Sequence, residues 1–246
     1  MNKVSIITVC YNAGSSIERT IQSVISQSFD DFEYLVIDGK STDNTTDIIQ
    51  KYSDRIDVII SEPDNGIYDA MNKGILKANG EWVIMMNAGD YFSDNNVLKS
   101  IFTNNIPTNK TFLYSDIYSL QVNGERVKRT LSWEKGVLIH QSVIYRRSLH
   151  DRYGLYLVTK PIIVSDYIFF ISIPKEHIMK LNNVIIAVYE GGGISAQGDW
   201  ALQQSICADV AFGRRSFSGM IIYYLSKRIK RLIPYNIKHY IRRVLG

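Results

Sequence analysis

Residues 4–86 predict an α/β protein: a mostly parallel central sheet with helices on both faces. Three observations predict it. Short β-branched and aliphatic runs recur at Val4–Val9, Glu33–Ile37, Asp57–Ile60 and Trp82–Met86. The segments between them carry apolar residues at helical spacing. The connections are short, so each strand–helix–strand unit should cross over right-handed and give a parallel pair.

Val4–Val9 is nearly unbroken in its apolar character, as a strand covered on both faces must be. Ser15 with Glu18 three residues on reads as a capping box, followed by Ile17, Ile21, Val24 and Ile25 on one helical face. After the second strand, Asp43 is placed to cap a helix bearing Ile48, Ile49 and Tyr52. The third strand leads through Pro63-Asp64-Asn65-Gly66 into a helix with Ile67, Met71, Ile75 and Ala78 on one side. Gly80 ends that helix before the fourth strand. Farther on, Phe112–Tyr118, Gln141–Tyr145 and Val184–Tyr189 read as strands. Asp166–Ile173 reads as a helix capped by Ser165 and stopped by Pro174, and Asp199–Ala211 as a longer one.

Ligands of open parallel sheets sit beyond the strand C-termini. The polar clusters of this chain follow its strands: Tyr11-Asn12, Asp38, Asp64, and Asn87 with Asp90. They are expected to converge on one edge of the sheet.

Composition and charge narrow the function classes. The chain has 246 residues, 46% hydrophobic and 21% charged, which is ordinary for a globular protein. Cys10 falls in an apolar run far from Cys207, a usage that fits a reducing compartment better than a disulfide framework. The opening carries no signal-peptide pattern, and no apolar run approaches the ~20 residues of a spanning helix. Nine of the 28 Lys and Arg lie beyond Asp209 and none of the 24 Asp and Glu do, so residues 1–209 carry −5 and the remainder +9. An acidic body with a basic tail implies a different partner for each. A nicotinamide-binding fingerprint is excluded by Asn12-Ala13-Gly14-Ser15-Ser16 where G-x-G-x-x-G would stand. No P-loop occurs, and the glycine-rich basic first loop of a sugar-phosphate nucleotidyltransferase is missing.

Several motifs carry chemistry. Asp38, at a strand end before Gly39, is placed to accept hydrogen bonds from a nucleobase or ribose. Asp43 reads as a helix cap, and Lys40 either reaches a phosphate or is a solvated turn lysine. Asn72, mid-helix and unfavourable there by propensity, needs a partner, for which a sugar hydroxyl or phosphate serves. Asp90 suits a divalent cation that neutralises a leaving diphosphate, or alternatively a structural turn.

Taken in order, Thr8–Asn12, Asp38–Asp43, Glu62–Gly74, Asn87–Asp90, His140-Gln141, Ser165-Asp166-Tyr167 and Gly191–Ser195 resemble a family 2 glycosyltransferase of the GT-A fold, of the bacterial kind that builds O-antigen and capsule. The resemblance covers residues 4–195. It implies a Rossmann-like sheet, inverting transfer from a UDP-sugar with UDP-Gal or UDP-Glc favoured, and Mn2+ or Mg2+ as cofactor. It implies further that Thr8, Tyr11, Asn12, Asp38, Asp64, Asn72 and Asn87 serve the nucleotide sugar, that Asp90 holds the metal, and that Asp166 is the catalytic base. His140 then touches the acceptor or the leaving phosphate, unless it is structural. Gly192 and Ser195 belong to a loop over the donor, or to a simple turn. Asn87 and Gly89 depart from the family's Asp-X-Asp-Asp, a departure that also admits an inactive nucleotide-sugar-binding scaffold.

On this reading residues 1–212 form one domain, with a nucleotide-sugar half over 1–100 and an acceptor half over 101–212, and 213–246 form a tail. In the tail Ile221, Leu225, Ile229, Leu232 and Ile233 precede Pro234, and Ile237, Tyr240, Ile241, Val244 and Leu245 follow it. Both sets are interleaved with Lys and Arg. Two basic amphipathic helices of this kind suit an anionic membrane surface; packing back on the domain is the alternative, and the wide apolar faces argue against nucleic acid. The expected location is the cytoplasm, peripheral on the cytosolic face of the inner membrane, near an undecaprenyl-diphosphate-linked sugar acceptor.

Overall fold

The computed structural model describes residues 3–191 and 199–232, the last six as backbone alone. Its first third follows the pattern of the sequence. Strands β1 (Val4–Cys10), β2 (Phe32–Asp38), β3 (Val58–Ser61) and β4 (Trp82–Met85) alternate with helices α1 (Ile17–Ile25), α2 (Thr45–Gln50) and α3 (Ile67–Lys77). All seven residues of β1 are buried, because helices cover both faces and two parallel strands flank it. Ile17, Ile21 and Val24 of α1 and Met71 of α3 are fully buried against the sheet.

The remaining elements complete two sheets. They are β5 (Tyr91–Phe92), α4 (Val97–Phe102), β6 (Phe112–Ser115), β7 (Ile117–Leu120), β8 (Arg126–Arg129), β9 (Val143–Arg146), α5 (Leu149–Tyr153), α6 (Ser165–Ser172), β10 (Ile178–Leu181), β11 (Ala187–Tyr189), α7 (Trp200–Ala211) and α8 (Phe217–Leu232). The central sheet runs β10-β6-β9-β4-β1-β2-β3, and a smaller one runs β5-β11-β7-β8. Within the central sheet β9 alone is antiparallel to its neighbours β4 and β6. That reversal matters for the site. It sets the start of β9, and the 3-10 turn His140–Ser142 ahead of it, beside the C-terminal end of β4.

Helix α6 is fixed by aromatic packing. Phe170 meets Phe112 edge-on at 5.2 Å, and its carbonyl accepts from the indole N–H of Trp133 at 3.1 Å. Burying such a side chain contributes about 1.5–3 kcal/mol, enough to hold the N-terminus of α6 toward the sheet edge. A second cluster of Val164, Tyr167, Ile171 and Ala208 joins α6 to α7.

Four local expectations change. Ser15 does not cap α1: the N-cap is Ser16 without a side-chain bond, and Glu18 instead accepts from the Tyr52 hydroxyl. Asp43 caps one residue early, accepting from Thr45 N–H and from Gly14 N–H, so it also joins the β1–α1 loop to α2. The run 112–118 is two strands in different sheets. The chain turns at Asp116, whose carboxylate accepts from Leu131 N–H and pairs with Lys180 and Lys128. Ser165 opens α6 from inside it and accepts from Leu157 N–H, tying the preceding loop to the helix start.

Candidate active site

The C-terminal ends of β1 and β4, the N-terminus of α6, the His140 turn and residues 189–191 enclose a cavity of about 610 Å³. That is ample for a nucleotide-sized ligand. Tyr11, Asn87, Asp90, His140 and Asp166 all line it. Residues from opposite halves of the sequence therefore meet at the sheet edge that the strand order designates.

Asp166 occupies the first turn of α6 and keeps 17% of its side-chain surface open. Its Oδ1 accepts from the Tyr68 hydroxyl at 2.8 Å and from Tyr167 N–H at 2.9 Å. Its Oδ2 lies 3.1 Å from Nδ1 of His140. Burial by itself raises the carboxyl pKa, but the bond and charge of His140 and the Tyr68 hydroxyl outweigh it, and the net direction is down. The same proximity and burial push the Tyr68 phenol well above its usual range, so it stays a donor.

His140 connects the two sides of the cavity. A carboxylate only accepts, so Nδ1 carries a proton toward Asp166. Nε2 lies 2.8 Å from Nδ2 of Asn87, so the two ring nitrogens are held by a carboxylate on one side and an amide on the other. Asn87, 8% exposed, is left with a buried Oδ1 that has no partner among the described residues.

Asp90 is 6% exposed, and burial lifts its pKa to about 6. Gln141 Nε2 donates to its Oδ2 and Glu190 N–H to its Oδ1 at 3.0 Å. Glu190 in turn pairs with Arg19, which also donates to the Gly89 carbonyl and lies over the Tyr91 ring.

Tyr11, 63% exposed, projects from the end of β1. A Cβ added at Gly39 would meet the Asp64 carboxylate and come within 3.4 Å of the Tyr11 ring, so these three share a rim. Asp64 uses Oδ1 to accept from Gly66 N–H and start α3. Asn12, at φ 48, accepts through Oδ1 from Thr42 N–H and binds the two adjacent loops together.

Three residues expected at the ligand make protein contacts in this structure. Thr8 is fully buried, two residues short of the strand end, and bonds Met86 O and the Tyr34 hydroxyl. Asp38 is fully buried as well. Ser41 N–H, Ser41 Oγ and Ser61 Oγ donate to it, so it shapes the loop behind Tyr11. Asn72 clamps Tyr156, donating to its carbonyl at 2.8 Å and accepting from its N–H at 2.9 Å. The mid-helix Asn72 has the partner its position demands, and that partner is backbone. Tyr68, Gln141 as a brace, Arg19 and Glu190 have no individual role in the sequence reading; the signals for Tyr68 are its place within the Glu62–Gly74 motif and in the first turn of a helix that leaves the ligand edge. Gly192 and Ser195 lie outside the described residues.

A GT-A-type sheet with a polar loop after β4 and a carboxylate at the N-terminus of a facing helix is the architecture of a glycosyltransferase, and the chain's family is of the same class. The chain belongs to glycosyl transferase family 2, whose family model matches residues 5–154. It is 28% identical over 209 residues to a PGL/p-HBAD biosynthesis glycosyltransferase of Mycobacterium bovis, covering 78% of each chain. It is 27% identical over 205 residues to the Escherichia coli UDP-Glc:alpha-D-GlcNAc-diphosphoundecaprenol beta-1,3-glucosyltransferase WfaP, covering 80% of this chain and 81% of that one. Staphylococcus aureus TarS 1-349 in complex with UDP-GlcNAc superposes with a TM-score of 0.69 at 20% identity over 85% of this chain, a likeness of fold. The chain spans 66% of that fragment and 39% of the longer TarS chain.

Glycosyltransferases of this fold often use a divalent cation. Among the described residues no three His, Cys, Asp or Glu side chains are grouped to hold one. The unpartnered Asn87 Oδ1 and the carboxylates of Asp90 and Glu190 on the cavity wall fit a cation that brings most of its ligands with it, as Mg2+ or Mn2+ does on a diphosphate.

Proposed function

We propose that this protein is an inverting hexosyltransferase that moves glucose or galactose from its UDP-sugar to a sugar on a lipid diphosphate, in the assembly of a bacterial surface polysaccharide. The observation that carries the reading is Asp166, an accessible carboxylate held ionised by His140 and Tyr68 in the cavity that also contains the Asn87–Asp90 loop. WfaP, similar along four-fifths of its length, supports the UDP-Glc donor and the diphosphoundecaprenol acceptor.

Tyr11 and the Asp64 rim receive the uridine, while Asn87 and Asp90 face the diphosphate. A Mg2+ or Mn2+ there would neutralise the charge that develops on the leaving diphosphate. Asp166 takes the proton from the acceptor hydroxyl as that oxygen attacks the anomeric carbon from the opposite face. One inversion converts an α-linked donor into a β-glycoside. The resulting division is a donor half over 1–100, an acceptor half over 101–212 and a tail over 213–246.

The tail reading is supported by α8, which leaves Phe217, Ile221 and Leu225 exposed at four-residue spacing ahead of Lys227, Arg228, Lys230 and Arg231. No helix among the described residues is long and apolar enough to cross a membrane. An exposed apolar stripe followed by cations suits adsorption to the anionic cytosolic face of the inner membrane, where the acceptor lipid resides. The residues after 232, including the second expected helix, lie outside the described residues.

A panel of UDP-sugars offered with GlcNAc- or GalNAc-diphosphate-lipid tests the reading, with the product linkage read by NMR. A β-linked disaccharide from UDP-Glc or UDP-Gal is expected, and an α-linked product would refute inversion. A UDP-sugar bound but neither transferred nor hydrolysed would favour the scaffold that the missing carboxylates at 87 and 89 admit.

A further inference from the structure

We propose that Glu190, supplied from the end of β11, is the protein carboxylate that ligates the divalent cation of the donor. The inference rests on the reading that the cavity takes a nucleoside diphosphate sugar. Position 89 has no side chain, and at φ +102 its backbone disfavours one. A Cβ built there would come within 3.3 Å of Oε2 of Glu190. The carboxylate absent from the β4 loop is thus provided in the same space from a strand one hundred residues away.

Three features equip Glu190 for this task. It lines the cavity, and Arg19 does not, so the guanidinium holds Oε2 from outside the lining and Oε1 makes no hydrogen bond or ion pair among the described residues. Its backbone is pinned, since Glu190 N–H donates to Asp90 Oδ1 at 3.0 Å. The same wall holds Asn87, whose amide nitrogen is committed to His140 and whose buried Oδ1 has no partner among the described residues, a neutral oxygen for the cation beside the charged one. Asp90 is the weaker candidate. Both its oxygens already accept, from Gln141 and from Glu190, and its role is to brace the loop that carries the ligand. One charged oxygen, one amide oxygen and the diphosphate make the hard, oxygen-rich set that Mg2+ and Mn2+ take.

The test uses the full chain. Mn2+ is titrated in the presence of UDP and free Mn2+ is read by electron paramagnetic resonance; UDP binding in EDTA is measured by calorimetry. Glu190→Gln is expected to weaken Mn2+ binding at least ~10-fold, the lower end of what losing even an orienting group around a metal costs, with UDP binding in EDTA unchanged. Glu190→Asp, which keeps the charge on a shorter arm, should fall between the two. Wild-type Mn2+ affinity in Glu190→Gln with loss in Asp90→Asn would overturn the proposal and return the ligand role to Asp90. UDP binding with no bound Mn2+ in the wild type would overturn it while leaving the donor reading intact. Failure of the wild type to bind UDP under either condition would instead defeat the donor reading itself.

Discussion

Nδ1 of His140 stands 3.1 Å from Oδ2 of Asp166, while its Nε2 stands 2.8 Å from the amide nitrogen of Asn87. One imidazole therefore links the N-terminus of α6 to the loop after β4. Asp166, the proposed base, is not an isolated carboxylate at a helix end. Its lowered pKa and its aim are set by a phenol on α3 and an imidazole ahead of β9.

Asp166→Asn removes the proton acceptor while keeping shape and the helix start. Turnover should fall by roughly 10²–10⁴-fold, the usual contribution of general-base help. UDP affinity measured by calorimetry should stay within about two-fold of wild type, because the proposed donor residues Tyr11 and Asn87 are untouched. Retained turnover in the purified variant would remove Asp166 from the chemistry.

His140→Gln should displace the pH–rate profile. The folded pKa of Asp166 is lowered, and His140 is the leading cause that opposes burial. Without it the carboxyl pKa rises, so protonation inactivates the base at higher pH than before. The acidic limb of kcat should move alkaline, and activity at low pH should fall more than at neutral pH. An acidic limb that stays in place would mean that His140 does not tune the base. Tyr68→Phe should move the limb the same way by a smaller step.

Asn72→Leu tests a structural role against a ligand one. The substitution strands the buried N–H and C=O of Tyr156, at roughly 1–3 kcal/mol for each orphaned group. Urea unfolding should show that loss, and KM for the UDP-sugar in the surviving folded enzyme should change little. A large KM effect with unchanged stability would restore the contact to the sugar.

Cutting the chain after Ser216 should abolish flotation with vesicles containing anionic lipid and leave turnover of a water-soluble acceptor analogue near wild type. The cut is placed there because Arg214 and Arg215 are held by the body: both pair with Asp209, and Arg214 lies over Trp133. Each basic residue near such a surface contributes about 1 kcal/mol, so the lost binding should also weaken steeply with salt in the full chain. Equal flotation of the two forms would defeat the tail proposal.

The first four strands were legible in the sequence because buried parallel strands and the helices between them carry strong, local periodicity. Their order then placed Tyr11, Asn87 and Asp90 on one edge with no knowledge of contacts. Asp166 was legible only through its motif. The sequence could not say which polar residues at that edge face a ligand and which face the protein. Thr8, Asp38 and Asn72 all have the right chemistry, but each spends its hydrogen bonds on a neighbour brought close by folding. The reversal of β9, the division of 112–118 between two sheets and the arrival of Glu190 beside Gly89 rest on pairings of distant segments. Local periodicity is written in adjacent residues and survives in the chain alone. The partner of a buried polar atom is decided by packing, and only the tertiary structure records that choice.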